Sequence, residues 1–319
     1  MFRSFLVVGS INIDLNVRVP RLPEAGETLT GSSFSTAYGG KGANQAVALA
    51  RLCQGSSNKV QLAGKIGTDT GGSGYREYLR ENGVDISMIG ESRESTGTAL
   101  IEIDDGGNNR IVVVPGANGD IDCPWWDGVS ASLGTLAGTA ALFQLELPLP
   151  VVCRGIEGAH ASGATVILDP APAVTLPDGI MPCIDYITPN QGETSVLTGI
   201  YPKTDGEAAK ASGILLERGV GAVLIKAGSL GAWFFSKREA WFCPSFPVRV
   251  MDTTAAGDSF NAGFAWALGR DYDVPDALRF ACAVGGLSTT RAGAQAAMPD
   301  LNNVSTLLQA NPKTASRRL

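Results

Sequence analysis

Short apolar runs alternate with helical patterns along most of this chain, and no other feature restricts its fold as much. Residues 5–9, 60–66, 140–145, 165–168, 186–188 and 222–225 are apolar runs of strand length. Beside them, residues 43–52, 74–82, 151–160 and 208–217 repeat apolar positions at helical spacing. Strands that read as continuous apolar runs are buried on both faces. Strand alternating with helix marks an α/β fold, a mostly parallel sheet covered by helices on both faces. In that architecture ligands bind beyond the carboxyl ends of the strands, so the polar residues just past each run are the first candidates for function. The 319 residues read as one α/β domain over 1–319.

Two segments break the alternation. Residues 15–38 and 96–115 carry strand-like alternation and turn residues but leave no room for a helix. In the second, residues 97–103 and 110–114 flank a turn at 104–109, the pattern of a β-hairpin. These excursions are expected to pair into a small sheet lying over the crevice as a lid. Their apolar residues, Val17, Val19, Leu29, Phe34, Leu100, Ile101, Ile111 and Val113, exceed what a hinged lid can bury against a small ligand. Past Asp300 a short helix and a frayed basic tail are expected.

Composition removes several function classes. A net charge of −6 argues against a nucleic-acid or anionic-membrane surface. The six cysteines (Cys53, Cys123, Cys153, Cys183, Cys243, Cys282) form no C-x-x-C pair, so reduced thiols are expected rather than zinc or disulfides. No run has the length of a signal or membrane segment. The expectation is a soluble cytoplasmic protein, with nuclear entry open. One histidine, His160, leaves no Ser-His-Asp triad, zinc H-E-x-x-H or protein-kinase loop to consider, and it reads as a solvated helix-end residue. Acid–base work falls to carboxylates or lysine.

Residues 252–258 read Asp-Thr-Thr-Ala-Ala-Gly-Asp and run into a helix-like stretch at 259–268. A helix start carries unpaired N–H groups and the positive end of the dipole. Ala255, Ala256 and Gly257 leave those groups open to a phosphate, and Asp258 at the lip of this anion hole can take a proton from an attacking hydroxyl. The plain alternative is a capped helix after a turn. Residues 39–46, Gly-Gly-Lys-Gly-Ala-Asn-Gln-Ala, lack the Walker spacing. Bare backbone with Lys41 and Asn44 suits ring hydroxyls instead, or simply starts a helix. Asn12 and Asp14, where the first strand ends, can clamp vicinal hydroxyls or serve a turn, and Glu146 follows a buried strand in the same way, as a site carboxylate or an exposed loop residue. Asn190 and Glu193 follow another, suited to the water shell of Mg²⁺ or to a capping box. Lys226, Ala227, Gly228, Ser229, Leu230 and Gly231 follow the next, along a nucleotide's phosphates or as a hairpin turn.

In this order and spacing the motifs resemble the ribokinase members of the PfkB family of carbohydrate kinases. The match runs from Gly9-Ser10-Ile11-Asn12-Ile13-Asp14 to residues 290–295, Thr-Arg-Ala-Gly-Ala-Gln, across essentially the whole chain. The resemblance implies a ribokinase-like fold, with ATP-dependent phosphorylation of the 5-hydroxyl of D-ribose. It implies ribose at Asn12, Asp14, Gly40, Lys41, Asn44 and Glu146, with Asp258 as general base and Ala255, Ala256 and Gly257 as anion hole. It further implies Mg²⁺ and ATP phosphates at Asn190 and Glu193, and the nucleotide along 226–231 and the helix containing Cys282. An activating K⁺ would sit at Asp252 and the carbonyls of Thr254, Ser288, Arg291 and Gly293. A homodimer would form through the lids. Ribokinases often carry a small hydroxyl residue at the position of Lys226, a serine cation ligand at that of Ala297 and a polar residue at that of Cys282. The alternatives are a kinase of another sugar or nucleoside, 2-deoxyribose first, or a catalytically silent sugar-binding sensor.

Overall fold

The computed structural model describes residues 2–106 and 108–319; Gly107, in the turn expected at 104–109, lies outside them. Along the chain run β1 (Ser4–Val8), β2 (Asn12–Arg18), β3 (Ser33–Gly39), α1 (Lys41–Leu52), β4 (Lys59–Gly67), α2 (Thr70–Glu81), β5 (Ile89–Ser92), β6 (Gly97–Ile103) and β7 (Asn109–Val114). There follow α3 (Cys123–Ala131), β8 (Thr139–Phe143), α4 (Leu149–Ala161), β9 (Thr165–Leu168), β10 (Tyr186–Ile187), α5 (Gln191–Thr198), α6 (Asp205–Glu217) and β11 (Ala222–Lys226). Then come β12 (Gly231–Ser236), β13 (Ala240–Pro244), α7 (Ala256–Leu268), α8 (Val274–Ser288), α9 (Leu301–Ala310) and β14 (Arg317–Arg318).

The described residues form a ten-stranded sheet in the order β14-β13-β12-β11-β10-β9-β8-β1-β4-β5. It is parallel from β5 to β11 and antiparallel from there to β14. Each central strand divides its side chains between two cores. Phe5 and Val7 join Ala140, Leu142 and Leu224 on the face covered by α1, α7 and α8. Leu6 and Val8 join Ala141, Phe143 and Val223 on the face covered by α4 and α6. This is why the runs read as continuous apolar stretches rather than as alternation. The chain winds one way from β1 to β4 and the other way from β8 to β11, so the switch point lies between β1 and β8.

The two excursions form a second, four-stranded sheet in the order β3-β2-β6-β7, with β2 and β6 parallel and the outer pairs antiparallel. Asn12 and Asp14 belong to this sheet, on β2, rather than to the end of the first core strand. The expected frayed tail is corrected as well. Arg317–Arg318 pairs with Trp241 and Phe242 as the sheet's edge. Arg317 bonds Asp205 at 2.7 Å and lies over the Phe242 ring, which gives a basic tail something to hold. His160 is exposed near the end of α4, as expected.

Two helical glycines separate packing from propensity. A Cβ on Gly155 in α4 would lie 2.7 Å from Phe143 Cε1, whereas one on Gly213 in α6 would meet nothing within 4 Å. Alanine gains about 1 kcal/mol of helix propensity over glycine, but overpacking a buried ring costs about 1–3 kcal/mol. Gly213→Ala should therefore raise the Tm and Gly155→Ala should lower it, as read by thermal unfolding of the two variants side by side.

Candidate active site

The site is built where α1 and α7 begin. Ala255 takes the left-handed conformation, φ 58°, and stands at the N-cap of α7 without a side-chain hydrogen bond, so no capping side chain takes up the first N–H groups. Ala256 N–H donates to Thr253 O (3.2 Å) and Ser259 N–H to Ala255 O (2.9 Å). The N–H groups of Gly257 and Asp258 have no partner among the described residues. Ala255 N–H has none either, so within the 255–257 stretch only the N–H of Ala256 is taken, and the opening extends one residue further to Asp258.

Asp258 is buried, and both its oxygens are held by amides. Asn44 Nδ2 donates to Oδ2 (3.0 Å) and Gln45 Nε2 to Oδ1 (3.1 Å). Burial pushes its pKa up to about 6, Lys41 pulls it down and Asp169 pushes it up again, while the two amides lower it. A carboxylate poised there can accept a proton near neutral pH. Lys41 opens α1. Burial works against its charge, but Asp258, Asp169, Glu146 and Glu193 together hold its ammonium above the ordinary range.

The glycines around Lys41 serve the chain itself. Gly40 has φ 87°, and a Cβ on Gly42 would lie 2.4 Å from the carbonyl carbon of Gly9. Only bare backbone lets the start of α1 rest on the end of β1. Glu146 then accepts from Lys41 N–H at 3.1 Å and from Ser10 Oγ. These contacts join the residues beyond β1 and β8 across the switch point. Asn12 is buried, and its Oδ1 accepts from Asn118 Nδ2 at 2.7 Å. Burial first, then the charges of Glu146 and Asp258, raise the Asp14 pKa to about 7. The structure therefore brings Asn12, Asp14, Gly40, Lys41, Asn44, Glu146 and Asp258 to one end of the sheet.

On the other side of Gly257 lies a cavity of about 560 Å³ lined by Lys226, Gly228, Ser229, Gly231 and Cys282 among others. Ala227 is buried and Leu230 is exposed; neither lines it. The 226–231 segment is both a cavity wall and the hairpin turn between β11 and β12. Asn190 and Glu193 form a reciprocal capping box at the start of α5, with Glu193 Oε1 accepting from Asn190 Nδ2 at 2.8 Å. Burial raises the Glu193 pKa, and Lys226 opposes that. Among the described residues no three His, Cys, Asp or Glu side chains are grouped to hold a metal, so a divalent ion here would bring water or phosphate oxygens with it.

Asp252 ties two loops together. Its Oδ2 accepts from Gly293 N–H (2.8 Å) and its Oδ1 from Thr254 N–H (2.9 Å) and Oγ1 (2.6 Å). Ser288 is buried at the end of α8, Arg291 is exposed and Ala297 is buried. Gln295, in the same loop, donates to Asn44 Oδ1 at 2.9 Å and to Tyr75 Oη at 2.5 Å.

Sequence reasoning missed Gln45, Asp169 and Gln144. Asp169 follows the apolar run of β9 as Glu146 follows that of β8, so the same positional rule finds it. Gln45 carried a weaker signal, a second polar residue beside Asn44 in a helix of small apolar residues.

Residues 3–301 match the family described as pfkB family carbohydrate kinase. The chain belongs to that family. It is 38% identical to a ribokinase of Haemophilus influenzae over 94% of this chain and 96% of the relative. It is 30% identical to a deoxyribokinase of Salmonella typhi over 96% and 98%. The solved structure of Arabidopsis thaliana ribokinase complexed with ribose and ATP superposes with a TM-score of 0.86 at 32% identity, over 97% of this chain and 99% of that one. A pfkB kinase fold is thus shared along nearly the full chain, the small lid sheet included.

Asp14 and Asp258 both bind protons more tightly folded than unfolded. Their contribution to stability is full below about pH 4 and is lost as pH rises through about 6–7. In the ligand-free protein Asp14→Asn should therefore raise the Tm relative to the unaltered chain at about pH 8, with the gain closing toward about pH 4. Thermal melts across that range check it; a pH-independent difference would show that the Asp14 charge is not under strain.

Proposed function

We propose that this chain phosphorylates D-ribose at its 5-hydroxyl with ATP. The observation that carries the reading is Asp258, a buried carboxylate with a pKa raised to about 6, beside two open N–H groups at a helix start. Sugar hydroxyls meet Asn12, Asp14, Lys41, Asn44 and Glu146, held by Gly40 at the turn. Asp258 takes the 5-hydroxyl proton. The N–H groups of Gly257 and Asp258, with the positive end of α7, receive the phosphoryl charge, where positioning and electrostatics supply most of the rate. Ala255 and Ala256 shape that opening. The nucleotide occupies the cavity along 226–231 and Cys282. Asn190 and Glu193 would face the water shell of a bound Mg²⁺, which would neutralise phosphate charge. K⁺ held by Asp252 and the carbonyls of Thr254, Ser288, Arg291 and Gly293 would fix the peptide dipoles of the turn before α7. Ala297 supplies no side-chain oxygen there. The six free thiols fit a cytoplasmic protein.

The deoxyribokinase relative favours 2-deoxyribose as the second reading. A coupled ADP-release assay over pentoses, hexoses and nucleosides should show ribose with the highest kcat/KM, and replacing K⁺ by tetramethylammonium should lower the rate. In that assay Asp258→Asn should keep ribose binding and lose about 10²–10⁴-fold in kcat. A variant that retains more than about a tenth of the rate would exclude Asp258 as the base.

The lid supports a homodimer. Phe34, Leu100, Ile111 and Val113 are exposed, Val17, Leu29 and Ile101 are half-buried, and Val19 is buried. A four-stranded sheet with this much bare apolar surface is stable in water when another copy covers it. Ile111→Lys with Val113→Lys should give monomers with a raised ribose KM. Light scattering checks this, and an unaltered chain that is monomeric at micromolar concentration would exclude the lid interface.

A further inference from the structure

Lys226 Nζ lies 2.9 Å from Asp169 Oδ1, with side chains 12% and 3% exposed. The net contribution of such a buried pair to stability is small, because desolvation offsets the attraction. Its location is more informative. Lys226 N–H donates to Pro189 O at 2.9 Å, which fixes the end of β11 against the strand that leads to Asn190. From there the side chain reaches the start of α7, where a Cβ on Gly257 would sit 3.4 Å from Nζ. Lys226 and Gly257 wall the same cavity. The other oxygen of Asp169 accepts from Gln45 Nε2 at 3.2 Å, the same amide that donates to Asp258. One chain of contacts thus runs from the general base to an ammonium beside the open N–H groups.

Resting on the phosphoryl-transfer reading above, we propose that Lys226 is a ligand of the phosphoryl group being transferred, and that Asp169 is the positioning residue that holds its ammonium there. An ammonium has three donors. One stays on Asp169, which leaves two for a phosphate in front of Gly257. As the bond to the leaving oxygen lengthens, charge spreads over the equatorial oxygens, and a fixed cation at that point stabilises it without reorganising. Asp169 prevents the long side chain from swinging into the cavity or out to solvent.

Lys226→Met alone leaves Asp169 buried and uncompensated, which can unfold the protein. The decisive variant is therefore Lys226→Met with Asp169→Asn, which removes both charges. Calorimetric titration with Mg²⁺ and β,γ-imido-ATP, and separately with Mg²⁺ and ADP, reads the contact with the third phosphate directly. The double variant should bind imido-ATP about 10–100-fold more weakly and ADP within about threefold, the difference expected for a charged hydrogen bond. Asp169→Asn alone should show the same selective loss to a smaller degree, and kcat should fall with ribose KM little changed. Equal losses for the two nucleotides, or none, would overturn the proposal and leave the pair a structural tie. The titrations need no sugar, so they decide the role of Lys226 even if the ADP-release assay finds an acceptor other than ribose.

Discussion

Burying a carboxylate in the first turn of a helix is the constraint on which the rest of this site depends. An isolated buried charge is too costly to keep, and it survives only when paired and hydrogen-bonded. Asp258 is given two amide donors and a nearby ammonium, all from α1. For one short helical segment to supply Lys41, Asn44 and Gln45, α1 must start beside the start of α7 and against the end of β1. That accounts for residues so small on both sides. Ala43 and Ala46 of α1 and Ala262 of α7 belong to one packed core, and Gly42 rests on Gly9. The motifs at residues 39–46 and 252–258, more than two hundred residues apart in sequence (Asn44 and Asp258 are separated by 214), are two halves of one compensation for one buried charge.

The two amides are themselves oriented from behind. Gln144 Nε2 donates to Gln45 Oε1 at 2.7 Å, which takes up the acceptor end of Gln45 and turns its NH₂ toward Asp258 and Asp169. Gln295 Nε2 donates to Asn44 Oδ1 at 2.9 Å, which turns the NH₂ of Asn44 toward Asp258 in the same manner. Gln295 lies two residues from Gly293, whose N–H is held by Asp252. The loop in front of α7 is thereby linked to Asp258 by hydrogen bonds as well as by chain connectivity.

Much of this was legible in the sequence because it follows from burial. The apolar runs marked β1, β4, β8, β9, β10 and β11 within a residue or two, and the polar residues after them marked Glu146, Asn190 and Lys226. What sequence reasoning missed depends on partners distant in the chain. Arg317 looks like tail until Asp205 and Phe242 are beside it. α3 has little amphipathic signal, since its structure rests on the Asp122 cap and the burial of Trp126. Gln45 is one more polar residue in α1 until Asp169, Gln144 and Asp258 surround it. Asn190 and Glu193 show the converse case: the sequence allowed a capping box or a metal's water shell, and the structure contains the capping box while leaving the second use compatible with it.

The crevice also holds an excess of acceptors, and that excess bears on what it selects. Asp14, Glu146 and Asp258 lie close enough for the charges of the latter two to raise the Asp14 pKa after burial has done so. Lys41 stands among these carboxylates as a single half-buried ammonium. Each hydroxyl of a polyol brings one donor and two acceptor lone pairs, so a small sugar relieves the repulsion at several points at once. A nucleoside keeps its 2′-, 3′- and 5′-hydroxyls but replaces the anomeric one by a base, so it brings one donor fewer and a flat apolar face that this polar set does not match, and a polar group left without its partner discriminates more strongly than lost apolar contact does. Loss of a single hydroxyl, as in 2-deoxyribose, leaves only one of those acceptors without its donor. The crowding that costs the empty protein stability is therefore also what would favour a fully hydroxylated sugar over an analogue that has lost a hydroxyl or exchanged one for an apolar base.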